Sequence, residues 1–328
     1  MTAASTPNPA TDATDASAWP DLPYAEWKDT CATLHMWTQI VGKIRLVQSP
    51  WLNHSWHAPF YLNARGLTTS PIPYGTRLFE IDFDFIAHCL HIRSSDGMTR
   101  MLALEARPVA DFYHDLFFHL RELGFDIRIH SMPNEVIDAI PFEQDQRHAS
   151  YDPDYANRFW RALAQADRVF KQFRAQFTGK ASPVHFFWGS FDLATTRFSG
   201  RPAPAHPGGV PHCPDWVIRE AYSQEVSSCG FWPGSDALPE PVFYSYAYPA
   251  PPGFDSARIQ PSQAGYTPAS GEFILPYAAV HNASSPDALL LEFLQSTYDA
   301  AADLGNWDRA VLERQPETAA VIADHTRL

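Results

Sequence analysis

The order of patterns along this chain repeats, and that repetition limits the fold more than any single motif does. Between residues 25 and 47, Trp27, Cys31, Leu34, Thr38, Val41 and Ile44 recur at three- and four-residue steps, which marks one face of an α-helix. Ser49-Pro50 ends it, because the residue before a proline is pushed out of the helical region. His54 to Asn63 follows with aromatic residues in the rough alternation of a strand. Leu78 to Phe85 alternates apolar and acidic residues, so it predicts a half-buried strand whose carboxylates face solvent or a cleft. His88 to Arg93 and Arg100 to Leu104 flank the turn signal Ser94-Ser95-Asp96-Gly97. Val109 to Leu123 is an amphipathic helix closed by Gly124, and Phe125 to His130 reads as another strand.

The same order returns. Residues 154–177 carry Phe159, Leu163, Val169, Phe170, Phe173 and Phe177 on one helical face, with Gly179 as the expected cap and Ser182-Pro183 next. Val184 to Ala194 reads as a strand, followed by a Pro/Gly loop over 201–214. Glu220 to Ser228, Val242 to Tyr248 and Glu272 to Leu275 are further strands, and a helix from Asp287 to Leu304 closes at Gly305. The expected class is α+β, with two similar halves forming one compact body. Each half holds mainly antiparallel strands with flanking amphipathic helices. The expected boundaries are a disordered tail over 1–18, halves at 19–153 and 154–312, and a C-terminal tail over 313–328. The two sheets either pack together or join, and the alternative is a single mixed sheet through the body. A junction between halves is where a ligand site is expected.

Composition narrows the function classes. With 328 residues, 45% of them hydrophobic, the chain can bury a large core. Its formal charge of −13 repels phosphate backbones, and its basic residues are not gathered on one face. Neither nucleic-acid nor membrane binding is expected. No stretch approaches the roughly 20 apolar residues a membrane span needs, and residues 1–18 lack the basic start and apolar run of a signal peptide. A cytoplasmic location is the expectation. The four cysteines, Cys31, Cys89, Cys213 and Cys229, are far apart and form no CxxC pair, which argues against a disulfide framework or a thiolate zinc motif. A Gly-rich dinucleotide fingerprint, a P-loop, GxSxG and HExxH are all absent from the sequence. No nucleotide cofactor is expected, and a bound metal is left open.

Several long strings carry a resemblance. Residues 27–35 (Trp-Lys-Asp-Thr-Cys-Ala-Thr-Leu-His), 53–57 (Asn-His-Ser-Trp-His), 64–75, 182–192, His-Pro-Gly-Gly at 206–209 and 220–234 are similar to an uncharacterised bacterial family, domain of unknown function 5996. The resemblance covers nearly everything after residue 18. It implies a bacterial, single-unit protein and implies no activity, so chemistry has to be read from the residues.

Five segments stand out. In His54-Ser55-Trp56-His57, read as a strand, His54 and Trp56 share one face and His57 takes the other. A cleft-facing imidazole there suits a general base, and two hydrogen-bonded structural histidines are the competing reading. In His185 to Asp192, Ser190 and Asp192 point together beside Trp188. A carboxylate against an aromatic wall has a raised pKa and suits acid catalysis. The loop His206 to Cys213 is a lid, an anion-holding turn or a plain surface loop. In Glu220 to Gly234, Glu225 is either a held carboxylate or the partner of Arg197 or Arg65 in an ion pair. Tyr244, Tyr246 and Tyr248 share a face and either line a pocket or pack across strands.

The resulting expectation is a small-molecule enzyme using His/carboxylate acid–base chemistry in a cleft between the halves. His54 or His57 is the expected base, and Asp192 or Glu225 the acid or orienting carboxylate. Trp56, Trp188 and Tyr222 would line the ligand, and Arg65 or Arg197 would hold an anionic group. One alternative is a non-catalytic protein binding a small ligand or partner. The other is a metal-dependent enzyme with His54, His57, His206 and Glu225 as ligands. Nothing in the sequence fixes the oligomeric state.

Overall fold

The computed structural model describes residues 18–315, so the tails expected at 1–18 and 313–328 lie almost wholly outside the described residues. The first helix, α1 (Tyr24–Gln48), ends at Ser49 as the following proline requires. It is not a one-faced surface helix. Every residue from Met36 to Arg45 is buried, so the body encloses this part of α1 on all sides. The enclosed stretch contains Gln39, Lys43 and Arg45, and each reaches a backbone or side-chain oxygen elsewhere in the body.

The first sheet holds β1 (Tyr61–Asn63), β2 (Gly66–Thr68), β3 (Ile72–Tyr74), β4 (Arg77–Asp84), β5 (Cys89–Ser94) and β6 (Thr99–Ala103), all antiparallel. They run β1-β2-β4-β5-β6, with β3 taking the part of the β4 edge that β2 leaves free. The alternation in β4 behaves as the sequence predicts. Phe79, Ile81 and Phe83 are buried, while Glu80 and Asp82 reach Arg93 on β5. The turn at Gly97, with φ +84°, joins β5 to β6. Helix α2 (Val109–Glu122) closes this half, and Gly124 in the left-handed region follows it.

The second half begins with α3 (Pro153–Ala175), whose start is fixed by Asp152 accepting from the Tyr155 backbone N–H at 3.1 Å and by proline in its first turn. The second sheet holds β7 (His185–Phe187), β8 (Asp192–Pro202), β9 (Gln224–Trp232), β10 (Val242–Tyr248), β11 (Gly265–Thr267) and β12 (Glu272–Pro276), in the order β11-β12-β10-β9-β8-β7. A short helix, α4 (Asp215–Ala221), lies between β8 and β9. The chain then closes with α5 (Tyr277–His281), α6 (Pro286–Leu304) and α7 (Arg309–Leu312). Among the described residues, no helix is long and apolar enough to cross a membrane.

The two sheets meet edge to edge. Phe60, just before β1, and Phe186 in β7 exchange backbone hydrogen bonds of 2.9 and 2.8 Å. The α+β class with two mainly antiparallel halves is therefore observed, and the halves share one continuous apolar core from Trp19 to Leu312.

The register of the second sheet sorts its faces. Leu193, Phe231, Phe243 and Leu275 stand side by side, all fully buried, toward α3 and α6. One residue along each strand, the other face carries Asp192, Thr196, Ser228, Tyr244, Tyr246 and Glu272, none of them fully exposed. A polar row so little open to water needs a structural or chemical cause.

Several local expectations fail for identifiable reasons. Residues 54–63 do not form one strand. Asn53–Ser55 is a tight turn in which His54 and Ser55 adopt left-handed backbone angles, and apart from the single bridge at Phe60 the strand begins only at Tyr61. Residues 125–130 keep the alternation, with Phe125 and Ile127 buried, but pair with no strand. Residues 184–194 break at 188–191 into a turn, with Phe191 at φ +61°. Glu220 and Ala221 belong to α4 rather than to a strand. Gly179 does not cap α3, which ends four residues earlier. A side chain there would put Cβ 2.5 Å from Leu312, so the glycine admits the C-terminal segment. After α6 the left-handed position is Asn306, not Gly305.

Candidate functional site

The polar face of the second sheet converges on Asp192. The turn that leads into it is strained, since a phenylalanine at φ +61° is a conformational outlier. The Phe191 ring is gripped by His35 at 5.0 Å and Phe159 at 5.2 Å, which holds the turn in place. Ser190 Oγ donates to one oxygen of Asp192 and the Tyr244 hydroxyl donates to the other. Tyr244 reaches Asp192 by crossing Gly230, where a Cβ would sit 2.4 Å from the ring carbon Cζ. Only glycine leaves that path open. Asp192 is buried, which pushes its carboxyl pKa up, while the two hydroxyl donors hold it back.

A second carboxyl arrives from the other half. Asn134 accepts from Gln39 Nε2 at 2.8 Å through its carbonyl, returns its N–H to Gln39 Oε1 at 2.7 Å, and takes a further bond from Lys43 Nζ. The Glu135 N–H donates to the Pro211 carbonyl at 2.8 Å. These ties hold Glu135 at φ +61°, a second residue in left-handed strain. Its carboxyl lies against Gly189, where a Cβ would come within 2.1 Å of Oε1. Among the described residues this carboxyl has no hydrogen-bond or ion-pair partner. Its pKa is pushed up to about 7, first by crowding from the surrounding protein and then by the charge of Asp192. Much of the residue's surface is nevertheless open to solvent, which works against the shift. Glu135 is thus a carboxyl packed from behind against Gly189 and wetted from the front.

Glu272 on β12 is the third acid. Burial and the charge of Asp192 push it up to about 7, opposed by the Ser270 hydroxyl. Between these acids stand tyrosines. Tyr222 OH and Tyr246 OH are 2.8 Å apart, and burial raises both pKa values, so both stay neutral donors. Behind the turn, His35 Nε2 donates to the Gly189 carbonyl at 2.8 Å, and burial lowers this imidazole to about 4, so it is uncharged near neutrality. No lysine or arginine is hydrogen-bonded to Glu135, Asp192 or Glu272 among the described residues. Lys43 is the nearby cation, but it is tied to Asn134 and burial lowers it to about 8.

Of the residues singled out in the sequence, Asp192 and Tyr222 lie in this cluster. His206 borders it, stacked on Tyr222 at 4.7 Å and accepting the Gly208 N–H on Nδ1 at 3.1 Å. The rest are placed elsewhere. His54 donates from Nδ1 to the Ala221 carbonyl at 2.9 Å and accepts from Lys180 Nζ at 2.6 Å, with Trp56 against its ring. His57 Nδ1 accepts the Leu52 N–H at 3.2 Å, and its ring lies beneath Trp51. The Trp188 indole donates to the Ala58 carbonyl at 3.0 Å and fills the space over Gly42. Glu225 pairs with Arg201 at 2.6 Å and Ser199 at 2.8 Å, not with Arg65 or Arg197. Arg65 is held by Asp84. Arg197 is sealed on the helix side, 3.5 Å over the Phe173 ring and 4.2 Å over that of Tyr298. His54, His57, His206 and Glu225 do not form a common ligand cage, since the one mixed group of such donors among the described residues lies in the first half.

Glu135, Glu272 and His35 were not singled out from the sequence. The tyrosine alternation of β10 was the legible signal for this face. Glu135 gave none, because a tertiary loop brings it in. Two open surface hollows, of about 370 and 660 Å³, lie near the N-terminal ends of α1 and α6 and touch none of these acids. The carboxyl cluster is crowded and polar, with Asp192 buried and the Glu135 residue exposed beside it.

The family model described as Family of unknown function (DUF5996) matches residues 19–314, and the chain belongs to that family. No curated protein and no solved structure matches it.

Proposed function

We propose that the protein is an enzyme that acts on a small molecule by carboxyl acid–base chemistry at the junction of its halves. The observation that carries this reading is the convergence on Asp192. Gly189 and Gly230 leave room for the Glu135 carboxyl and the Tyr244 hydroxyl to approach from two different elements. In the proposed mechanism Glu135 moves the proton. It faces solvent and is free of partners, and crowding together with the charge of Asp192 raises its pKa toward a working pH near neutrality. Asp192, fixed by Ser190 and Tyr244, orients the substrate and balances charge that develops on it. The Tyr222–Tyr246 pair supplies neutral donors and aromatic walls. This moves the base from the histidine segment at 54–57 to a carboxylate, since His54 has both ring nitrogens engaged.

Strain supports the reading. Glu135 and Phe191 both hold left-handed backbone angles beside the recess, and such outliers gather at functional sites. The partner in this reading is a small molecule, not nucleic acid or a membrane surface, in keeping with a charge of −13. The four unpaired cysteines fit a reducing cytoplasm.

The test is a turnover screen. The protein is incubated with a mixture of small metabolites, and their loss is followed by mass spectrometry. The reading expects one compound to be consumed by the wild type and spared by Glu135→Gln and Asp192→Asn of unchanged melting temperature. Consumption that persists in both variants contradicts it. Compounds that raise the melting temperature without being consumed point to a binding protein instead.

A further inference from the structure

We propose a second, separate site: a zinc-type metal centre on the β4–β5 hairpin, formed by Asp84, Cys89 and His91. It shares no residue with the carboxyl cluster at Asp192. The hairpin register sets Asp84 directly opposite Cys89, and His91 follows two residues along β5 on the same face. Their donor atoms all lie within 4.8 Å of one another. Cys89 Sγ is 3.1 Å from His91 Nε2, which is 3.8 Å from Asp84 Oδ2. Around a tetrahedral zinc ion, with bonds of about 2.0–2.3 Å, such donor atoms stand roughly 3.3–3.6 Å apart. These two gaps bracket that range, and the third, between Asp84 and Cys89, is within 4.8 Å, so side-chain rotation about χ1 and χ2 brings the three donors to a common ion.

The donor set is chemically specific. Thiolate, imidazole and carboxylate together suit zinc or cobalt and disfavour calcium or magnesium. Asp84 is pre-oriented. Its Oδ1 accepts the backbone N–H groups of Ile86 and Ala87 at 2.9 and 2.8 Å, which leaves Oδ2 turned to the site. Asp84 and Cys89 are buried, while the His91 side chain is 27% exposed, so an ion enters past the imidazole and water takes the fourth position. Arg65 now pairs with Asp84 Oδ2 at 2.5 Å and competes with a cation there. Its side chain is 53% exposed, so it can swing into solvent when an ion binds.

The test uses the full chain, stripped with chelator and titrated with Co²⁺ and then Zn²⁺. The proposal expects stoichiometric binding of Co²⁺, a thiolate-to-cobalt charge-transfer absorption, and loss of that absorption when Zn²⁺ displaces it. Cys89→Ser abolishes the absorption, and His91→Ala weakens binding by about tenfold or more. Arg65→Gln tightens binding, which a merely structural cysteine would not produce. Circular dichroism checks that each variant is folded, and His91→Ala, at a partly exposed position, keeps the test open if Cys89→Ser does not fold. Absence of binding, cobalt bound without the thiolate absorption, or an absorption that survives in the variants overturns the proposal.

Discussion

Alanine at Gly189 separates the stability of the fold from the chemistry proposed for Glu135. The new Cβ would stand 2.1 Å from Glu135 Oε1, where ordinary contact begins at 3.4 Å, so the carboxyl must retreat by roughly 1 Å or more. The backbone tolerates the change, because Gly189 does not occupy the left-handed region. The obstructing atom is the far end of a flexible side chain. The fold therefore gains about 0.4–1 kcal/mol from a less flexible unfolded chain and loses a similar amount in displacing the carboxyl, leaving a net change within about 1 kcal/mol. Chemistry responds differently. A displacement of about 1 Å at a reacting group costs on the order of 10²-fold in rate. Pushed toward solvent, Glu135 also titrates at lower pH than its present value of about 7. Thermal unfolding reads the first effect. Carboxyl-carbon NMR on glutamate-labelled protein reads the second, with Glu135→Gln assigning the resonance. A Gly189→Ala protein of near wild-type stability whose Glu135 titrates unchanged would refute the packing of Glu135 on Gly189.

Three further outcomes follow from the same geometry. Tyr244→Phe leaves a buried oxygen of Asp192 without its donor, and urea denaturation should show a loss of about 1–3 kcal/mol; unchanged stability would mean the bond is not made. Arg197→Ala empties an aromatic cage and should cost about 2–4 kcal/mol, whereas Arg197→Met costs less because it refills the space; equal costs in the same denaturation experiment would contradict a packing role. His185 is buried and held down to about 3 by burial and by Arg174, while the unfolded chain binds its proton near 6.5. The unfolded state binds more protons across that window, so stability is present above pH 6.5 and falls as pH drops toward 3. His185→Leu should flatten that limb in melting curves taken against pH.

Much of the fold was legible because it rests on local pattern. Leu78 to Phe85 alternates and becomes β4, the Gly97 turn follows from its own residues, and the helix read over 154–177 is found as α3. The failures come from tertiary context. α1 carries a helical period on one face, yet its Met36–Arg45 stretch is enclosed on all sides, which no pattern within its own sequence reveals. His54 and Phe191 sit in left-handed turns, a conformation uncommon for any residue but glycine and least expected of a bulky phenylalanine, so both strands drawn through them break there. Within the site, Ser190 and Asp192 do meet, through a turn rather than along a strand. Glu135 could not be found, because Gln39 and Lys43 on a distant helix fix it through Asn134. The charged candidates were misjudged in the opposite sense. Glu225, Arg65 and Arg197 each found a neutralising or enclosing partner, as most structural charges do.

The central claim is that small-molecule chemistry takes place between Glu135 and Asp192. A crystal structure of Glu135→Gln with the compound that the wild type consumes tests it most directly. The compound is expected to be seated against residues 135, 192 and 222, with a reacting atom within hydrogen-bond reach of the side-chain amide introduced at position 135. A compound seated instead against His57 beneath Trp51, away from Glu135 and Asp192, would contradict it.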